Sequence, residues 1–414
     1  MTQSPPAPPA EQQPVAAEAA PPRSRSRWSP VVVTALALLS ALIVGAVLIA
    51  VGDEKTRTAL GYFFQYPQDT VSYGWSAVSS AYIALFEGAI VDPATFSSGS
   101  LTQILGPISE TLLSATPLMC AGLSVALAFR AGLFNIGAQG QIIMAAIFAG
   151  YVGFAWSMPI VLHVIVAVIA GLIGGALYGG IAGVLKARTG AHEVITTIML
   201  NYVALNLLGW LLSVSWFQAP PFSQAISRNV KDTARLPHLL GGDLRVHFGL
   251  LLALAAAAGT AWLLDRSTLG FRLRAVGANP AAARTAGMKV EPSYTTVMLL
   301  AGGLAGLAGV SQILGTNSAV TGTVDAGYGF DGITVALLGR ATPWGTVLAA
   351  LLFGALRAGS LSMQARTGVP VDLVTVLQAL IVLFIAAPQL VRTLFWIRAD
   401  RAGTGQVLAK GWNG

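Results

Sequence analysis

The sequence predicts an all-α, polytopic membrane protein of about ten transmembrane helices, and three observations carry that prediction. Of its 414 residues, 55% are hydrophobic and only 10% are charged, where a soluble domain carries about 25% charged residues. So little charge cannot coat a water-facing surface, so most of the surface must face lipid. Several apolar runs reach the roughly 20 residues needed to cross a hydrocarbon core of about 30 Å. Lysine and arginine collect at alternate ends of these runs. With a cytoplasmic N-terminus, 16 of the 24 fall in cytoplasmic segments, as the positive-inside rule requires, and an even number of spans returns the C-terminus to the cytoplasm.

In chain order, residues 1–29 form a polar tail (PPAPPAEQQPVAAEAAPP) with too few apolar side chains to order, and it is expected to be disordered. Residues 30–51 are the first span, too long for a signal-peptide core and without an obvious small-residue cleavage site. Residues 52–102 make an external excursion with aromatic, amphipathic pieces (YFFQY, YGWSAVSSAYIALF) and an acidic excess, suited to helices lying along the membrane surface. The core, residues 103–391, holds nine more spans at about 107–129, 139–156, 159–185, 194–215, 247–264, 294–314, 329–339, 344–360 and 371–391. A Pro-rich external loop (216–246) and a cytoplasmic loop (265–293) interrupt it, and residues 392–414 form a cytoplasmic tail. The external loop departs from the charge rule with Arg228, Lys231, Arg235 and Arg245, which long loops tolerate.

Three patterns stand out within the core. The stretch GLFNIGAQGQIIM (132–144) places Asn135, Gln139 and Gln141 among apolar residues and glycines. The glycines should interrupt the helix between the second and third spans, and irregular backbone at membrane depth survives only where protein or a water-filled cavity satisfies it. Asn135 and Gln139, four apart, would share one face of a helix. A buried unpaired amide costs roughly 1–3 kcal/mol, so these amides either bond a neighbouring helix or line a path. The same alternatives hold for Asn201 and Asn206 on the fifth span. Asp331, ahead of the short eighth span, is read either as an N-cap or as a polar contact at the mouth of the path.

Glycines at four-residue spacing (Gly171, Gly175, Gly179, Gly183; Gly302, Gly306) predict close helix packing. In the cytoplasmic loop, Asn279 can cap a short helix with Pro280 at its first position. Ala281, Ala282, Ala283 and Arg284 favour helix, and Gly287 supplies the stop. Two turns are too few to be stable in water, so this helix calls for a docking surface; otherwise the loop is a solvated connector.

Other chemistries lack their residues. There is no phosphate-binding G-x-x-x-x-G-K-[ST], so any ATP site lies outside the chain. His192-Glu193 lacks the second histidine of a zinc helix, the four histidines are scattered, and no metal site is expected. No nucleophile–base grouping suggests an enzyme. The lone Cys120 can form no disulfide within the chain. The pI near 9.8 reflects topology rather than a nucleic-acid surface. Carboxylates within spans are scarce, with Glu110, Glu193 and Asp331 all near span ends, which disfavours a proton-coupled carrier.

Four stretches carry a resemblance: FNIGAQGQ (134–141), HEVITTIMLNYVA (192–204), GANPAAARTAGM (277–288) and GFDGITVALLGRATPWGTVLAALLFGALRAG (329–359). In this order they resemble the membrane permeases of bacterial ABC importers of the ribose and nucleoside type, closest to the nucleoside subgroup and more distantly related to branched-chain amino acid permeases. The resemblance implies a type II importer permease in the plasma membrane, working as one half of a dimer with an identical or paralogous permease. It implies a separate cytoplasmic ATP-binding subunit, docked on the helix at 279–287, and an extracytoplasmic binding lipoprotein that delivers a nucleoside or a simple sugar.

Overall fold

The computed structural model describes residues 29–241 and 243–387, with Leu390 and Leu394. The tails expected at 1–29 and 392–414 lie almost wholly outside the described residues. Fourteen α-helices are described: α1 (Ser29–Gly52), α2 (Glu54–Leu60), α3 (Pro67–Ala89), α4 (Leu101–Arg130), α5 (Ala138–Ala155), α6 (Ile160–Thr189), α7 (Glu193–Leu211), α8 (Gly249–Arg266), α9 (Thr268–Ala278), α10 (Pro280–Thr285), α11 (Val290–Val310), α12 (Tyr328–Leu338), α13 (Pro343–Thr367) and α14 (Val371–Ala386). Among the described residues there is no strand, only three isolated bridges. Among the described residues eight helices are long and apolar enough to cross a membrane, and α12 and α14 are shorter apolar helices, which accounts for the ten expected.

These helices sort into an inner and an outer set. In their most apolar stretches α4, α5, α11 and α13 are 61–83% buried, whereas α1, α6, α7 and α8 are only 28% buried. Helix α6 shows how one sequence serves both sides. Ile165, Ile169, Ile173, Leu177 and Ile181 form an exposed stripe at four-residue spacing, suited to lipid. Gly171, Gly175, Gly179 and Gly183, set two residues later and hence on the opposite face, meet α11. A Cβ added at Gly175 would lie 2.8 Å from Gly306 Cα and closer still to the Gly302 carbonyl oxygen, and one at Gly179 would lie 2.9 Å from Gly302 Cα. Only hydrogen fits there, so the backbones touch.

Helix α3, expected to rest along the membrane surface, also packs into the bundle. Ala81 and Ala84 are buried in a cluster with Ala41, Leu356 and Met363, and Arg366 of α13 pairs with Glu87 and Asp92. The segment 216–246 binds the chain that follows α11: Val230 N donates to Ser318 O at 2.7 Å, Leu236 N to Leu314 O at 2.8 Å, and Val320 N to Ser227 Oγ at 2.8 Å.

Candidate functional site

Helix α4 stops at Arg130, whose Nε donates to Ala341 O at 2.8 Å. Gly132 then turns the chain with φ +74°, and helix resumes only at Ala138. The opening of a helix leaves four backbone N–H groups without helical partners, and here side-chain amides answer them. Asn135, fully buried, accepts from Gly137 N at 3.1 Å through Oδ1. Its Oδ1 and Nδ2 also exchange two 3.0 Å bonds with the Gln141 amide, and Nδ2 donates to Ser124 Oγ at 3.0 Å. From α7, Asn201 accepts from Gly140 N at 2.9 Å and donates to Ile136 O at 2.9 Å.

The interruption expected at the glycines is present: residues 131–137 are not helical, so Asn135 and Gln139 share no helical face, and Gln141 is the partner of Asn135. Asn206 does not join Asn201: it is exposed and donates to Tyr202 O of its own helix at 2.7 Å. Five residues turn a helix through about 500°, which puts the two on different faces. Asn135, Gln141 and Asn201 therefore bond neighbouring chain.

Gln139 behaves differently. Half-buried, it donates through Nε2 to Asp325 Oδ2 at 3.0 Å, and the same oxygen accepts from Gly327 N at 3.3 Å. Gly327, at φ +79°, caps α12. A Cβ added at Gly329 would sit 2.5 Å from Gln139 Cα. The N-termini of α5 and α12 thus meet at Gln139 and Gly329, beside the carboxylate of Asp325, which is 5% exposed. Two helix N-termini offer partial positive charge to such an anion.

Gly327 being the cap, Asp331 is not one. It lies in the first turn of α12 and pairs with Arg357 Nη1 at 3.3 Å. Arg357 also donates through Nη2 to Ala326 O at 2.7 Å, and its guanidinium stands 4.3 Å above the Tyr328 ring. At the same end, Arg245 pairs with Glu110 at 3.2 Å. Sequence reasoning missed Asp325, Tyr328 and Arg357. Arg357 carried a readable signal as a charge inside an apolar run; Asp325 carried none, since it precedes the expected span in what reads as loop.

In the connection from α9 to α11, the Asn279 side chain accepts from Ala282 N at 3.0 Å, Pro280 opens α10, and Gly287 turns away at φ +82°. Ala281, Ala282 and Arg284 are exposed, with Arg284 paired to Glu291. Ala283 faces inward, buried with Val276 and Val290, and so is not on a docking face. The preceding helix reaches the break after α4: a Cβ on Gly277 would lie 2.5 Å from Arg130 O and 2.8 Å from Gly132 N.

A bundle with lipid-facing stripes outside, and two helices that begin inside it around polar groups, has the architecture of a membrane permease. The chain belongs to the family of branched-chain amino acid transport system permease components, whose model matches residues 108–386. It is 40% identical over 318 residues to a guanosine ABC transporter permease protein of Bacillus subtilis, covering 76% of this chain and 88% of that one. It is 37% identical to a glucose ABC transporter permease protein of Haloferax volcanii (73% and 82% covered). To a nucleoside ABC transporter permease protein of Lactococcus lactis it is 36% identical (69% and 81%). No solved structure matches it significantly.

Proposed function

We propose that the chain is the permease subunit of an ATP-driven importer that carries nucleosides across a bacterial plasma membrane, with both termini in the cytoplasm. The substrate class rests on the likeness to guanosine and nucleoside permeases. The observation that supports a path is the α5–α12 junction, where the half-buried Gln139 amide and the Asp325 carboxylate give uncharged hydroxyls and ring nitrogens both donors and acceptors. In this reading an extracytoplasmic binding lipoprotein supplies substrate, a second permease completes the path, and ATP is hydrolysed in a separate cytoplasmic subunit, this chain holding no cofactor. That subunit docks on the exposed face of α10. Its movement reaches the interior through Gly277, whose backbone bears on Arg130 and Gly132 just ahead of the Asn135 cluster, and the bundle rocks between two access states.

The test is uptake of labelled guanosine and labelled ribose with and without the chain deleted. Deletion-sensitive guanosine uptake that ribose cannot compete is the expected result. Loss of ribose uptake alone favours a simple-sugar permease, the reading that the likeness to a glucose permease supports. Docking is tested separately: Ala282→Asp should insert normally yet lose the co-purifying ATPase, whereas Ala283→Asp should lose the folded protein by placing a charge between Val276 and Val290. An ATPase retained by Ala282→Asp would contradict the docking assignment.

A further inference from the structure

Where the ends of α4, α8 and α13 meet α9, the surface opens into a cavity of about 170 Å³, room for a group of several atoms rather than for one water. Its walls are built from helix ends. Arg130 closes α4 and is held by its Nε bond to Ala341 O at 2.8 Å, which leaves both Nη groups free to donate. Ser267 caps α9, its side chain accepting from Gly270 N at 2.9 Å. A Cβ on Gly270 would overlap the Leu263 carbonyl oxygen, so α9 folds back tightly over the end of α8. Leu273 is then buried in one cluster with Leu264 and Ala131. Arg274, four residues after Gly270 and on the same face, joins Arg130 and Asp265 in the wall.

All three charged residues are exposed. Among the described residues no hydrogen bond or ion pair engages the Asp265 carboxylate or the Arg274 guanidinium. Two cations and one anion thus line one cavity without answering one another. Trp344, at the start of α13, lines it too and is 54% exposed, and Trp262, one turn before the end of α8, is 64% exposed. Exposed tryptophans at the ends of apolar spans mark the level of lipid headgroups.

We propose that this cavity binds the phosphoethanolamine headgroup of a membrane phospholipid. Arg130 and Arg274 donate to the phosphodiester oxygens, which suit planar guanidinium groups. Asp265 accepts from the ammonium, to which the Trp344 ring offers its face. A purely anionic headgroup would set its charge beside an unanswered carboxylate, whereas a zwitterion answers all three groups. Basic pockets between spans hold lipid headgroups in this way. This one joins the ends of α4, α8 and α13 to α9, the helix that leads into α10.

The test takes the delipidated full chain in detergent and titrates phosphatidylethanolamine, phosphatidylglycerol and soluble glycerophosphoethanolamine separately. Native mass spectrometry counts bound lipid, and thermal unfolding reports the stabilisation that binding brings. Phosphatidylethanolamine should bind about tenfold tighter than phosphatidylglycerol, the worth of one charge-assisted hydrogen bond. Asp265→Asn should remove that preference, and Arg274→Gln should weaken both lipids about tenfold. Arg272→Gln, exposed on α9 but outside the cavity, should change neither. Equal binding of the two lipids by the wild-type chain, a result that needs no variant, overturns the proposal. So does an Arg274→Gln chain that binds both lipids as Arg272→Gln does. Soluble glycerophosphoethanolamine that displaces the lipid at equal concentration would make the cavity a site for a free phosphoester and overturn its assignment to the membrane.

Discussion

The α6–α11 seam and the α5–α12 junction both bring two helices to backbone contact, and they are built from opposite materials. At the seam both helices run on unbroken, every interior N–H and C=O is already paired along its own helix, and glycine alone suffices. At the junction two helices begin inside the bundle, so their first N–H groups need partners that lipid cannot give. Asn135, held in place by the Gln141 amide, and Asn201 supply them for α5, and Asp325 for α12. Close approach by itself needs only small residues; an interrupted helix needs amides. Gln139 differs from the other amides in remaining half-exposed while it bonds across the junction.

The contrast can be broken most forcefully at the seam. Gly175→Leu should abolish the folded protein, and even Gly175→Ala presses a methyl onto the Gly302 carbonyl, an overpacking worth about 1–3 kcal/mol. Thermal unfolding in detergent measures this, and an unchanged Tm for Gly175→Ala would mean that the seam is looser than its backbone contacts indicate. A comparable loss is expected from Asn135→Leu, which strands Gly137 N–H and the Gln141 amide at about 1–3 kcal/mol for each unsatisfied group. Adding Gln141→Leu should cost less than the two singles summed, because the second change removes a group the first left unpaired. Strict additivity would contradict the mutual bonding. Asn206→Leu, exposed and bonded only within α7, should shift stability by no more than about 0.5 kcal/mol, and a larger drop would place Asn206 at an interface with another chain.

The same contrast explains what the sequence made legible. Glycines at period four announce a contact that depends only on helical geometry, and Gly171, Gly175 and Gly179 meet Gly302 and Gly306, with Gly183 against Thr295 one turn on. The cap at Asn279 and the stop at Gly287 were equally local and equally readable. The junction depends on where helices stop: the glycines announce the break at 131–137, which sets Asn135 and Gln139 apart, but the start of α12 is not legible, where the left-handed Gly327 and not Asp331 is the cap. The bond from Gln139 to Asp325 joins residues 186 positions apart, and no local pattern encodes it. Ala283 shows the limit of propensity, which forecast the helix but not that this side chain turns inward.

Our proposal places substrate at the junction and excludes it from the seam, and cysteine labelling separates the two. In a Cys120→Ser background, which removes the buried native thiol, Gln139→Cys should react with a water-soluble maleimide in the assembled transporter, and guanosine should slow that reaction. Gly179→Cys would disrupt packing, so Ala176→Cys beside Gly302 and Gly303 is the seam control and should stay unreactive. A Gln139→Cys that is inert, or that reacts at a rate guanosine does not alter, would contradict the placement of the path at the meeting of α5 and α12.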